Sequence, residues 1–188
     1  MPQPVPVPKT MAKIVWVLVP LMGLAALGYW FSDARSLDTL AHRQRLDSPE
    51  RVFGYVTGDY QQAFASDPVL PGESVQTMLA RPSRRLWCDE GAIVLSLLNQ
   101  RLHRNTRLVD LLDQRTGISH HTTLQIQEGG RWITYDFTSK RWGIPLAATV
   151  SYQAIPRYRS YPSSPLHWLL LHNNVARAVV QRYRGITS

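Results

Sequence analysis

The longest apolar run in the chain lies close to its start. From Ile14 to Phe31 it reads IVWVLVPLMGLAALGYWF, 18 residues without a charge. That is close to the roughly 20 needed to cross a bilayer as a helix. Trp16, Tyr29 and Trp30 stand near its ends, where amphipathic rings favour the membrane interface, and Pro20 is tolerable inside such a helix. The pattern predicts a transmembrane signal-anchor over 13–32, preceded by a proline-rich, unstructured head over 1–12. A cleaved signal peptide is the competing reading, with Lys9 and Lys13 as its charged region and Ser32-Asp33-Ala34 as its small-residue site. A buried core helix fits less well, because every face is apolar. Lys9 and Lys13 precede the run while Arg35, Arg43, Arg45 and Arg51 follow it, so the positive-inside count does not settle the orientation. The short proline-rich head favours a cytoplasmic N-terminus, an inner-membrane location and a domain facing the periplasm or exterior.

Beyond the run, 33–188 reads as one domain. Residues 36–46 (SLDTLAHRQRL) predict a helix with Ser36 as N-cap and Leu37, Leu40 and Leu46 on one side. Ser48-Pro49-Glu50 is a second helix start, and the helix it opens is expected to run through RVFGYVTGDYQQAF, 51–64, despite Gly54 and Gly58. Residues 66–74 read as a loop. In WCDEGAIVLSLLNQ, 87–100, Ala92, Ile93, Leu95, Leu97 and Leu98 predict a largely buried helix. Three strand candidates follow, Arg107–Leu112, His121–Gln127 and Arg131–Phe137, with a hairpin turn at Glu128-Gly129-Gly130. A helix followed by antiparallel strands gives an α+β fold. Pro145, Pro156, Pro162 and Pro165 make 143–165 irregular, and 165–184 predicts an amphipathic C-terminal helix.

Charge and composition change this picture little. The net charge is +8, and arginine supplies most of it, since Lys9, Lys13 and Lys140 are the lysines. The arginine clusters at 81/84/85, 101/104/107 and 157/159 lie in no nucleic-acid motif. They read as a solvated basic surface, and no nucleic-acid partner is expected; an anionic-polymer binder is a weaker alternative. The single cysteine, Cys88, excludes an intrachain disulfide. No histidine or cysteine pair has the usual metal-ligand spacing apart from adjacent His120 and His121. No phosphate-binding loop or dinucleotide fingerprint occurs, so no cofactor is expected.

The chemistry lies in three residues. Thiol catalysis needs a thiolate, a base to form it and a group that orients the base. Cys88 is predicted at a helix N-terminus, where a thiolate is favoured. Asp89 and Glu90 beside it would oppose a thiolate if they pointed inward. His121 and Asp136 fall on the two strands of one hairpin and can be cross-strand neighbours. His120 points to the face opposite His121, so only one of the two can join the site.

The stretch from Trp87 to Thr138 resembles the transglutaminase-like superfamily of cysteine enzymes. The segment CDEGAIVLSLL is similar to the family's cysteine helix, Arg107-Leu108-Val109 to its intervening strand, and HTTLQIQEGGRWITYDFT to its His, Gly-rich turn, Trp and Asp-x-Thr half. The resemblance covers about a third of the chain. Trp87 stands where many members have Gly-x or Gly-Asp, Gln125 where glutamate is common, and Thr122 where alanine is frequent. It implies a papain-like/transglutaminase-like core, a central helix packed on a small antiparallel sheet, and selects His121 over His120. It also implies a Cys88–His121–Asp136 triad that transfers an acyl group through a thioester. Water as acceptor gives a peptidase or amidase, and an amine gives a ligase. The expected partners are a protein or peptide substrate, the membrane, and a membrane-associated protein. The alternative from another class is a non-catalytic binding module in a membrane-associated assembly.

Overall fold

A computed structural model describes Pro20 and residues 34–67, 75–112, 119–146 and 157–162. The chain divides into two compact units, Met1–Arg35 and Ser36–Ser188. Among the described residues no helix is long and apolar enough to cross a membrane. The apolar run at 14–31, Pro20 apart, lies outside the described residues, as does the expected C-terminal helix at 165–184.

Residues 34–43 are helical and form α1. Helix α2, Pro49–Asp59, starts as its sequence dictates. The Ser48 side chain accepts from the Arg51 N–H at 3.3 Å, Pro49 opens the first turn, and Glu50 faces the positive end of the helix dipole. The expected continuation to 64 does not occur. Tyr60 turns extended, and Gln61–Gln62 form strand β1, parallel to β2 at Arg85–Leu86. The Gln61 N–H donates to Arg84 O and the Ala63 N–H to Leu86 O, each at 2.9 Å. These long-range bonds replace the helical ones, and the Tyr60 hydroxyl, donating to Leu79 O at 2.7 Å, fixes the buried ring at the exit. Helix α3, Val75–Ala80, lies between β1 and β2 in the sequence.

Helix α4, Cys88–Arg101, is buried without interruption from Glu90 to Asn99. Its aliphatic residues pack with Val52, Phe53 and Val56 of α2 and with sheet residues Leu108, Leu124, Ile126 and Tyr135 in one core cluster. Burial on all sides explains why its apolar residues do not fall on one stripe. Polar groups inside are paired locally: Ser96 Oγ meets Thr106 Oγ1 at 3.0 Å, and Asn99 Nδ2 donates to Leu95 O at 2.8 Å.

The main sheet follows: β3 Thr106–Leu112, β4 Ser119–Glu128, β5 Arg131–Asp136, β6 Arg141–Ile144 and β7 Arg157–Pro162, in the order β6-β5-β4-β3-β7 and antiparallel throughout. The fold is α+β, with α4 against the sheet. The prolines after 143 predicted irregular chain, yet β6 and β7 form the two sheet edges. Pro162 ends β7, and an edge strand tolerates proline because one side of it donates no ladder bonds.

Candidate active site

Three elements end at one place. Cys88 is the first residue of α4, His121 lies near the start of β4, and Asp136 is the last residue of β5. The β4–β5 hairpin puts the histidine and aspartate at the same end. Its turn, Gly129-Gly130, has φ of 54° and 80°, both in the left-handed region that a two-residue type I′ turn requires. The ladder pairs Leu124 with Tyr135 and Gln125 with Thr134. In that register Asp136 faces position 123, so His121 is its diagonal neighbour, not its direct partner. A diagonal gap is within reach of a histidine side chain. His121 Nε2 lies 2.8 Å from Asp136 Oδ1.

Both groups are out of water. Asp136 is fully buried and His121 almost so. The second aspartate oxygen, Oδ2, accepts the Ser139 N–H at 3.2 Å, so the carboxylate is held from both sides. Cys88 is half-buried and hydrogen-bonds the His121 ring. Asp136 takes Nε2, so a second partner of the ring is expected at Nδ1. Burial opposes a charge on the imidazole, but the bonds to Asp136 and Cys88 and their negative charge outweigh it. The His121 pKa is raised to about 9.

The start of α4 is built around Glu90. Its Oε2 accepts the Trp87 N–H at 2.9 Å, the backbone half of a capping box. Arg81 grips both carboxylate oxygens, at 2.7 and 2.6 Å. Glu90 is therefore an anchored cap rather than a free charge beside the sulfur. Gly91 lies one turn into the helix because Phe137 occupies the space where a side chain would go. That contact packs the start of α4 directly against the residue after Asp136.

Sequence reasoning missed Gln62, on β1. Its side-chain carbonyl accepts from Thr138 Oγ1 at 2.9 Å, and Thr138 follows Asp136 by two residues. The same turn is tied down by Lys140 Nζ, which donates to Thr57 O at 2.8 Å. No local signal marks Gln62, because its position depends on the β1–β2 pairing. Trp132 lies toward the other end of the hairpin, with Arg107 stacked 4.1 Å over its ring, and contributes to the sheet surface. The side chain of His120 is outside the described set. Among the described residues no group of three or more His, Cys, Asp or Glu could hold a metal ion.

Comparison with protein-family models finds no match, and comparison with curated proteins finds none either.

Proposed function

We propose that the domain is a thiol-dependent acyltransferase or amidase with a papain-like/transglutaminase-like core. In this proposal residues 13–32 tether it to the inner membrane and the domain faces the periplasm or exterior. A protein or peptide is the acyl donor, and a membrane-associated protein is a suitable partner. The observation that carries the catalytic reading is the hydrogen-bonded run from the half-buried Cys88 through His121 to the fully buried Asp136, whose partners raise the imidazole pKa to about 9. A structural histidine has no need of a buried carboxylate on one nitrogen and a thiol on the other.

In the mechanism, His121 Nδ1 takes the Cys88 proton and the thiolate attacks an amide or ester carbonyl. The imidazolium then protonates the leaving nitrogen or oxygen, and the acyl group remains on sulfur as a thioester. Water or an amine attacks the thioester as His121 takes its proton, and the thiolate leaves. Asp136 keeps Nε2 protonated and supports the imidazolium throughout. The tetrahedral oxyanion needs donors fixed in advance. The Cys88 N–H is one, since the first N–H groups of a helix have no intrahelical acceptor.

The Gln62 amide supplies the second donor in this reading. Gln62 is the parallel partner of Leu86, and such partners project to one face of the pair. Trp87 is extended, with φ −68° and ψ 162°, so Cys88 alternates back to that face. Thr138 engages the Gln62 carbonyl, which leaves the NH2 to donate.

The deciding test is iodoacetamide alkylation of Cys88 in the full chain in detergent micelles, at pH 6 and pH 8.5. A thiolate–imidazolium pair keeps the pH 6 rate within a few-fold of the pH 8.5 rate, and His121→Ala lowers the pH 6 rate about tenfold or more. Equal pH 6 rates in the two proteins would remove the enzyme reading and leave a binding module.

A further inference from the structure

The nucleophile is followed directly by two carboxylates, Asp89 and Glu90. Negative charge at that point disfavours a thiolate. Glu90 is only 4 % exposed, yet it is ionically paired: Arg81 meets both its oxygens, and the Arg81 side chain is itself 12 % exposed. Arg81 Nη1 also donates to Arg85 O of β2 at 3.1 Å. One ion pair thus joins the strand before the nucleophile, the residue before it and the first turn after it.

Helix capping alone does not account for this arrangement. A glutamine at the third helical position can form the same backbone cap as a glutamate, and neither needs an arginine. Stability is a weak explanation too, because the desolvation of two buried charges offsets most of their attraction. The position of the charges is what distinguishes the pair.

We propose that Arg81 and Glu90 are positioning residues for Cys88: Glu90 fixes the Trp87–Cys88 backbone that aims the thiol, and Arg81 cancels the charge this cap would otherwise place beside the sulfur. The inference rests on the acyl-transfer reading of the site. Charged groups at the start of α4 and on the segments leading to it include Asp89 and Glu90 on the helix itself, Arg81 and Arg84 from the turn after α3, and Arg85 of β2 (itself paired with Asp67 at 3.2 Å), while His121 of β4 bonds the thiol and has Asp136 of β5 behind it. With Arg81 in place, His121 remains the dominant counter-ion of the thiolate. Without it, a buried carboxylate competes with the sulfur for that positive charge.

The test uses opposed charge changes in the full chain in detergent micelles. Glu90→Gln, Arg81→Met and the double variant are alkylated with iodoacetamide at pH 6 and low salt, beside wild type and His121→Ala. Folding of each is checked by circular dichroism. Charge balancing predicts that Glu90→Gln, which keeps the cap and removes the carboxylate charge, alkylates about threefold faster or more. Arg81→Met alkylates slower by a similar factor, and the double variant returns to within about twofold of wild type. A structural role alone slows both single variants, or neither. Two single variants that move together, or a double variant that does not recover, would overturn the inference while the contrast between wild type and His121→Ala leaves the Cys–His reading intact. If Arg81→Met fails to fold, the direction of Glu90→Gln decides. A wild type no faster than His121→Ala overturns both.

Discussion

A histidine buried beside a carboxylate is subject to two opposed forces. Burial favours the neutral ring, and the 2.8 Å contact with Asp136 and the Cys88 thiol favours the cation; for His121 the partners win, and the pKa rises to about 9. Two consequences follow at this one residue. In the proposed mechanism the imidazolium protonates the leaving group, so acyl transfer should fall away as the pH passes about 9. An alkaline limb in kcat/KM at that pH, measured on an amide donor whose leaving amine needs the proton, checks it, and a limb near 7 would assign the proton to another group. The linkage has a definite sign. A folded pKa above the unfolded value of about 6.5 means that His121 contributes stability in full below pH 6.5 and loses it between 6.5 and about 9. The urea midpoint of wild type should therefore lose ground to that of His121→Asn across this window. An unchanged difference would show that the ring is neutral in the folded state.

At the scale of elements, the reading of the sequence succeeded where a signal was local. The Gly129-Gly130 turn, the apolar block of α4 and the strand-forming stretches on either side of that turn each require their structure from a few adjacent residues. They bring His121 and Asp136 to one end of a hairpin, with Cys88 opening the helix. It failed where pairing decides the structure. Gln61-Gln62 reads as more helix because nothing nearby forbids it; only the bonds to Arg84 and Leu86 make it a strand. Strands β6 and β7 are the sheet's edges, and the prolines after β6 and at the end of β7 masked them. The same long-range pairing places Gln62, so the oxyanion role proposed for it is a property of the β1–β2 element. Gln62→Ala should slow acyl transfer about 100- to 1,000-fold, as loss of an oxyanion donor does. It should leave iodoacetamide alkylation unchanged, because that displacement builds no oxyanion. The comparison of the two rates in one protein is the measurement. Parallel losses in both would show that Gln62 acts on the thiol, through the Thr138 turn, and not on the oxyanion.

For the whole molecule, the membrane attachment proposed above is a question of which physical force supplies it. Two features of the chain could do it, and they respond to different solvents. The uncharged run from Ile14 to Phe31 attaches by burial of apolar surface, which salt does not weaken. The net charge of +8 attaches by attraction to anionic lipid, which is screened within about 8 Å at physiological ionic strength. Transmembrane anchoring predicts that the full chain stays with the membrane fraction through washes in 1 M salt and in alkaline carbonate. A chain beginning at Ser36, where the second compact unit begins, should be released into the soluble fraction and keep its Cys88 alkylation rate. Release of the full chain by salt would instead make the arginine-rich surface the attachment. A Ser36 chain that stays bound in low salt and leaves in high salt would show both at work, with the basic surface orienting a domain that the apolar run holds. Cleavage of the leader gives a third pattern, a full-length gene product recovered short of its first 30 or so residues by intact mass, with no membrane association to wash away. The anchored outcome confines the thiol to a layer next to the bilayer, and the acyl donor must then be a chain that reaches this layer.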